Sequence, residues 1–431
     1  MRRTLNWAST LNLLALGLVI VLANAAKIQA QETVTLTNKK GETIEVIVGE
    51  DKDAKDDRVP VDMAILLDTS NSMDGLINQA RNQLWQIVQR LSVTEKDGRK
   101  PALRVSVFEY GNTNLPATEN YIRQVLPLSD DLDKVSEALF ALSTRGGDEY
   151  CGAVIGEAIT RLDWSSDADA YKSIFIAGNE AFTQGQVSYL STCADAKEKG
   201  IIVNTIHCGD HSTGVKGMWA DGAVKGGGKS FNINQDRKQV NIKCPQDRVL
   251  IELNTKLNKT YLWFGSKSSR KSYASNQLAQ DSNSFGGVGG MAMGMGGMRG
   301  GMGGGGMGSS SAPAPSFGSR VASKASNVYD NRKRDLVDAV KADEETLGKL
   351  EADKLPEVLQ KMTLAQRKKY VADKATERKK IQEEIKKVTK ERQKHLVAEL
   401  TKQGNKRDTF GDAICDSIDS QLSERGFQKT K

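Results

Sequence analysis

The chain lacks most of what marks a membrane-embedded protein or a covalent catalyst. Its one conspicuous apolar run, residues 11–22, is about half of the roughly 20 residues a bilayer span needs. No Cys-x-x-Cys spacing occurs, which removes the usual zinc and dithiol readings. No Gly-x-Ser-x-Gly elbow occurs, and no nucleophile stands beside an evident base, so the chain is read as non-enzymatic. Histidine is scarce. His207 and His211 are four apart, but His207 closes a strand-like run and Gly209 intervenes. They read as loop histidines beside Cys208, not as a helical pair of metal ligands.

What is present begins with an address. Arg2 and Arg3 precede the apolar run, Ala23-Asn24-Ala25 supplies small residues for cleavage, and a second acceptable cut follows Ala30. Residues 1–30 therefore read as a secretory signal. No cysteine follows the run to carry a lipid, and cleavage leaves no stable membrane span. The expectation is an exported bacterial protein, periplasmic or secreted. Its cysteines would then meet an oxidising compartment. Cys151, Cys193, Cys208 and Cys244 share one stretch, which allows three pairings, and Cys415 is left over. Two disulfides are expected, with buried thiols as the other reading.

The net charge of +7 belongs wholly to residues 320–431, which hold 27 basic and 20 acidic residues against 34 of each elsewhere. There Arg367-Lys368-Lys369 and Arg378-Lys379-Lys380 alternate with acids. That pattern describes a solvated helix face, and no nucleic-acid partner is expected.

Residues 31–58 suggest a hairpin and a charged connector: Val34 and Leu36 alternate with threonines, Lys39-Lys40-Gly41 makes a turn, and Ile44, Val46 and Val48 answer. From 59 to 265 strands and helices alternate. Met63-Ala64-Ile65-Leu66-Leu67 is a continuous apolar run, as in a strand buried on both faces. Leu76, Ala80, Leu84, Ile87, Val88 and Leu91 follow at helical spacing. Further strands are expected at 105–108, 173–177 and 201–206, with helices at 132–142, 187–199 and from Pro245 through Leu262. This alternation predicts an α/β fold, a doubly wound, mostly parallel sheet. Residues 266–319 are assigned to a linker whose glycine- and methionine-rich part runs from 284 to 318; no core can form there, and a flexible tether is expected. Its methionines also admit a Cu(I) reading. Residues 320–431 form a separate charged helical region split by Pro356. Thr363 and Gln366 have the spacing of a capping box, and Gly404 suits the helix end. Ile381, Ile385 and Val388 follow a seam that Arg378 and Arg392 interrupt, which suggests a helical hairpin or a weak coiled coil.

The chemistry concentrates where the first strand ends, at Asp68-Thr69-Ser70-Asn71-Ser72. One carboxylate and two hydroxyls spaced by two lie at the carboxyl end of a sheet strand, where open α/β sheets place ligands. All-oxygen donors suit a hard ion such as Mg²⁺, Mn²⁺ or Ca²⁺. The bland alternative is that Asp68 and Ser70 cap the next helix. A second glycine-rich stretch, 223–230, fits a relaxed phosphate-loop pattern, but Phe231-Asn232-Ile233-Asn234 alternates like a strand where that motif requires a helix.

Over residues 59–265 the chain resembles the von Willebrand factor A family, whose Asp-x-Ser-x-Ser motif after a first apolar strand is a metal-ion-dependent adhesion site. The resemblance implies a metal bound by Asp68, Ser70 and Ser72 with two later loops completing the shell. In the first, Ser143 to Glu149, Asp148 is the expected ligand and Thr144 the alternative. In the second, many family members have an aspartate where this chain reads Ala177-Gly178-Asn179-Glu180, so Asn179, or else Glu180, takes that role. Such a site implies metal-dependent binding of a protein partner that offers an acidic residue to an under-neutralised ion. The other reading is a scaffold with a degenerate metal site whose helical tail makes the main contacts.

Overall fold

Strand β1 (Val59–Asp68) is buried along its length, and successive residues enter opposite cores. In the computed structural model Met63, Ile65 and Leu67 join one hydrophobic cluster, Ala64 and Leu66 the other. This is the geometry that a continuous apolar run predicts, because side chains alternate across a strand. The structure describes residues 57–236, 242–285, 316–403 and 410–429, together with three strands before residue 57.

Those early strands form a unit of their own. Glu32–Thr37 pairs antiparallel with Thr43–Val48, placing Val34 opposite Val46, and Thr4–Asn6 runs parallel to Glu32–Thr37. Apart from Thr4–Asn6, the proposed signal lies outside the described residues, as do the expected turn at Lys39-Lys40-Gly41, Gly404 and residues 286–315.

The second unit is a six-stranded sheet between helices. After β1 come α1 (Asp74–Ser92), β2 (Pro101–Tyr110), β3 (Ile122–Ser129), α2 (Leu132–Ala141), α3 (Cys151–Arg161), β4 (Tyr171–Gly178), α4 (Tyr189–Glu198) and β5 (Ile201–Cys208). Then follow α5 (His211–Lys216), α6 (Trp219–Lys225), β6 (Gly227–Ile233) and α7 (Asp247–Asn258). The order across the sheet is β6-β5-β4-β1-β2-β3, and only the β2–β3 pair is antiparallel. The fold is thus the expected doubly wound α/β sheet with one antiparallel edge. Helices α1, α2 and α7 cover one face, α3 and α4 the other.

The C-terminal helices are not set apart from this sheet. They comprise α8 (Lys267–Ser284), α9 (Ser316–Lys324), α10 (Leu336–Ala342), the 40-residue α11 (Leu364–Gln403) and α12 (Phe410–Glu424). Phe317, Val321, Ile385, Phe410, Ile414 and Ile418 belong to the same hydrophobic cluster as α1. The expected α-helical C-terminal region is present, and it lies in one compact unit with the sheet. Helix α8 and the start of α9 fall within the span 266–319 that was expected to be a linker. Helix α8 shows no apolar period because it docks through polar side chains; Gln277, Gln280, Asp281 and Ser284 are its buried residues.

Asp281 sits at the centre of that docking. It accepts from Arg320 Nε at 2.6 Å, Asn254 Nδ2 at 3.0 Å and Asn258 Nδ2 at 2.8 Å, and Lys324 Nζ lies 3.0 Å away. Arg320 Nη1 also reaches Asp133 at 2.8 Å, and Tyr329 donates to the other Asp133 oxygen at 2.7 Å. Two cations and two carboxylates from α2, α8 and α9 therefore neutralise one another in a dry place.

Helix α11 docks the same way. The reciprocal Thr363–Gln366 capping box forms as expected, at 2.9 and 3.3 Å. Arg378, which breaks the apolar seam, is buried and donates to Asp335 at 2.7 Å, Asp338 at 3.0 Å and the Thr260 carbonyl at 2.7 Å. Arg392 donates to Asp247 at 2.7 Å. The seam thus faces α7, α9 and α10 within its own chain, which accounts for it without a coiled coil.

All five cysteines are buried free thiols, so the expected disulfides are not formed. Cys151 and Cys193 lie in one cluster and Cys208 and Cys415 in the other, packed as small apolar side chains. Among the described residues no helix is long and apolar enough to cross a membrane.

Removing Asp281 would leave Arg320 and Lys324 buried against a single carboxylate. Asp281→Asn should cost about 3–5 kcal/mol, read from urea midpoints. Burial pushes the Asp281 carboxyl up, but Lys324 and Arg320 outweigh it and hold it well below the usual carboxylate range. Its contribution is therefore present above the unfolded value of about 4 and lost as pH falls. The acid limb of the stability curve should be shallower in Asp281→Asn; an unchanged limb would count against this assignment.

Candidate metal site

The register of the sheet builds the site. Asp68 is the last residue of β1, paired across to Tyr110 on β2, and Leu67 pairs with Ala177 on β4. Three strand ends therefore deliver Asp68, Gly111 and Gly178–Asn179 to one place at the carboxyl edge.

Asp68 has no exposed surface. Its Oδ1 accepts the Ser70 amide at 2.7 Å, while its Oδ2 is buried with no hydrogen-bond partner. Leaving such a group unsatisfied costs about 1–3 kcal/mol. Burial pushes the carboxyl up to about 7, the Ser70 amide and hydroxyl and the nearby Asn179 amide opposing it and the Glu180 charge adding to it. The capping alternative is not realised, because neither Ser70 nor the residue before α1 makes a side-chain cap.

The other motif residues fix the loop. Thr69 Oγ1 donates to Glu109 Oε2 and to the Tyr110 carbonyl, each at 3.2 Å. Asn71 Oδ1 accepts the Gly146 amide at 2.8 Å, and the Arg145 amide donates to the Thr69 carbonyl at 2.9 Å. The positions between the ligand candidates thus tie the first loop to the second. Ser70 Oγ and Ser72 Oγ lie 3.5 Å apart.

The structure brings together Asp68, Ser70, Ser72 and Asn179. Asn179 Nδ2 donates to Ser72 Oγ at 3.2 Å, leaving Asn179 Oδ1 buried without a partner. Asp148 does not join them: it is exposed and accepts from the Tyr150 hydroxyl at 3.3 Å. Thr144 is engaged elsewhere, its hydroxyl donating to Asp74, and Glu180 is exposed. The carboxylate that turns inward is Glu149, 4% exposed, with its amide bonded to Gln184 Oε1 at 2.8 Å. Burial, then Asp68, then Glu180 push its carboxyl up to about 8. Sequence reasoning missed Glu149 because it lies in an irregular segment, where no period says which of two adjacent carboxylates faces in.

Two glycines make room. A Cβ on Gly178 would lie 2.5 Å from the Tyr110 hydroxyl and 3.1 Å from Asp68 Cβ. At Gly111, where φ is +77°, a Cβ would lie 2.6 Å from Glu149 Cγ and 3.1 Å from Asp68 Oδ1. Asp68 and Glu149 therefore flank the same point.

The donor set fits a hard divalent cation. Two bare buried oxygens, a second carboxylate and two hydroxyls offer only oxygen, as Mg²⁺, Mn²⁺ and Ca²⁺ require. Among the described residues no three His, Cys, Asp or Glu side chains gather as a metal group, so hydroxyl and amide oxygens must complete any shell here. His211 is exposed at the start of α5 and is not paired with His207. The glycine-rich 223–230 stretch runs from α6 into β6 with no helix following the glycines, which excludes the phosphate-loop reading.

Fold and site together define an open α/β domain with an oxygen-lined pocket at its carboxyl edge. Residues 62–218 match the family model of the von Willebrand factor type A domain, and the chain carries that domain. No curated protein matches the chain. Among solved structures, proximal thread matrix protein 1 from the mussel byssus aligns with a TM-score of 0.32 and 16% identity, over 42% of this chain and 44% of that one. The chain thus spans under half of that protein's length. A structure of the same protein described as having a zinc-occupied MIDAS motif aligns at 0.32 and 14%, over 42% and 43%. BatB from Bacteroides thetaiotaomicron aligns at 0.31 and 18%, over 40% and 90%.

Gly111→Ala should cost more than about 1 kcal/mol, since the residue has positive φ and no free space. It should also displace Glu149. An unchanged urea midpoint would show that the pocket does not depend on this close approach.

Proposed function

We propose that this chain is a non-enzymatic, divalent-cation-dependent protein-binding protein. Asp68, Ser70, Ser72 and Asn179 hold the ion, and Glu149 supplies the carboxylate first assigned to Asp148. The observation that carries this reading is the pair of buried, partnerless oxygens, Asp68 Oδ2 and Asn179 Oδ1, on two loops joined through Ser72. When bound, the cation presents a positive coordination point to an oxygen from outside. An acidic side chain of a partner protein is the group such a point recruits. Asn71 and Thr69 hold the pocket's loops in register.

Around this module the proposed layout is a signal at 1–30, a hairpin and connector at 31–58, the adhesion-type domain at 59–265, and helices that pack on the domain. The leader-like residues 2–25 support an exported, periplasmic or secreted location. Mg²⁺ is the first ion to test, with Mn²⁺ and Ca²⁺ beside it.

A ligand that binds only the folded state stabilises by mass action, about 2.7 kcal/mol at 100 times its Kd. Saturating Mg²⁺ should therefore raise the melting temperature of the wild type. Asp68→Ala should fold but show no such rise, and should lose cation-dependent capture of the partner. Equal rises in both proteins would reject the site.

A further inference from the structure

The loop after β4 presents Asn179 from irregular backbone, and we propose that His207 and Trp219 are the positioning residues that hold it for the cation. The inference rests on the metal-binding reading above. His207 Nε2 lies 3.3 Å from the Asn179 carbonyl oxygen, and Trp219 Nε1 donates to the Glu180 carbonyl at 2.8 Å. Two consecutive carbonyls thus each lie against a side-chain nitrogen, the Asn179 carbonyl beside the imidazole at the end of β5 and the Glu180 carbonyl bonded to the indole at the start of α6.

The holders are themselves fixed. His207 Nδ1 lies 2.7 Å from Asn232 Oδ1 on β6, and Asn232 Nδ2 donates to the Gly209 carbonyl at 2.7 Å. The His207 and Trp219 rings are 5.7 Å apart. At the far end of the loop, the Phe182 amide donates to the Gly217 carbonyl at 2.8 Å, and the Phe182 ring packs 4.9 Å from that of Trp219. Both ring nitrogens of His207 face oxygens already, so it acts through Asn179 and not as a ligand. With the backbone pinned at these points, Asn179 keeps Nδ2 on Ser72 and its bare Oδ1 in the pocket. Edge strand β6 is in this way connected to the site through one imidazole.

Residues that orient a metal ligand typically change affinity 10–100-fold. The two hard ions respond differently to a loosened ligand: Mg²⁺ demands near-ideal octahedral geometry, whereas Ca²⁺ tolerates variable ligand number and angle. Loosening Asn179 should therefore weaken Mg²⁺ more than Ca²⁺.

The test titrates Mg²⁺ and Ca²⁺ alone into the full chain by calorimetry, for wild type, His207→Phe, His207→Gln and Trp219→Phe. Both phenylalanine variants should weaken Mg²⁺ about 10-fold or more and lower the Mg²⁺/Ca²⁺ affinity ratio. His207→Gln keeps an amide donor and should recover part of the loss. Trp219→Phe removes the indole donor together with some buried ring volume, and its Mg²⁺/Ca²⁺ ratio reads the contact even if His207→Phe fails to fold. Wild-type binding with the ratio unchanged in the variants overturns the inference alone, since a general loss of stability lowers both ions together. A wild-type chain that takes up neither ion overturns the metal reading and this inference with it.

Discussion

A fully buried carboxylate oxygen without a donor is among the more expensive groups a fold can keep, and the carboxyl edge of the sheet is organised around one. Asp68 is carried there by the central strand, the most protected position the sheet has. Burial alone moves its carboxyl toward neutrality, and Glu149 brings a second carboxylate to the same point. Neither is partnered by arginine or lysine among the described residues. Elsewhere among the described residues, buried carboxylates such as Asp62, Asp247, Asp281 and Asp335 lie against arginine or lysine. Asp68 and Asp281 thus differ in kind: one buried carboxylate has no cationic side chain beside it among the described residues, and the other has two.

That second strategy explains the helices. A sheet with one face covered only by α1, α2 and α7 leaves room beside α1, and α9 and α12 fill it with Phe317, Phe410 and Ile414. Buried ion pairs add to this packing: Arg320 between Asp133 and Asp281, Arg378 between Asp335 and Asp338, Arg392 on Asp247. Buried pairs contribute less to net stability than their number suggests, because desolvation offsets much of the attraction. They do specify register, since a helix shifted by one turn would leave each cation unpaired.

The parts of the fold that were legible in the sequence are those whose contacts are apolar and periodic. Strand β1 and helix α1 announce themselves by hydrophobic spacing, and the capping box at Thr363 by local chemistry. Helix α8 was hidden because it packs through Gln277, Gln280 and Asp281, and an apolar period cannot report polar docking. For the same reason Arg378 and Arg392 looked like breaks in a seam when they are its anchors. In the proposed site, Asp68, Ser70 and Ser72 are a contiguous motif in the sequence, and the structure places Asn179 beside Ser72. Glu149 could not be told from Asp148 without knowing the course of the loop. His207 looked ordinary because its partners Asn232 and Asn179 lie 25 and 28 residues away in sequence.

The rings of Phe285 and Phe317 lie 4.2 Å apart, so the chain departs and returns at one spot on the helical face. Phe285 and Phe317 thus close a circuit whose two ends lie on the same unit. Closure of such a circuit depends on its length only logarithmically, about 0.6 kcal/mol for each doubling. The number of glycines and methionines in it is therefore almost free to drift, while the Phe285–Phe317 closure is not. A backbone break within the circuit would leave two polypeptides still joined by α1, α8 and α9, a non-covalent heterodimer made from one gene.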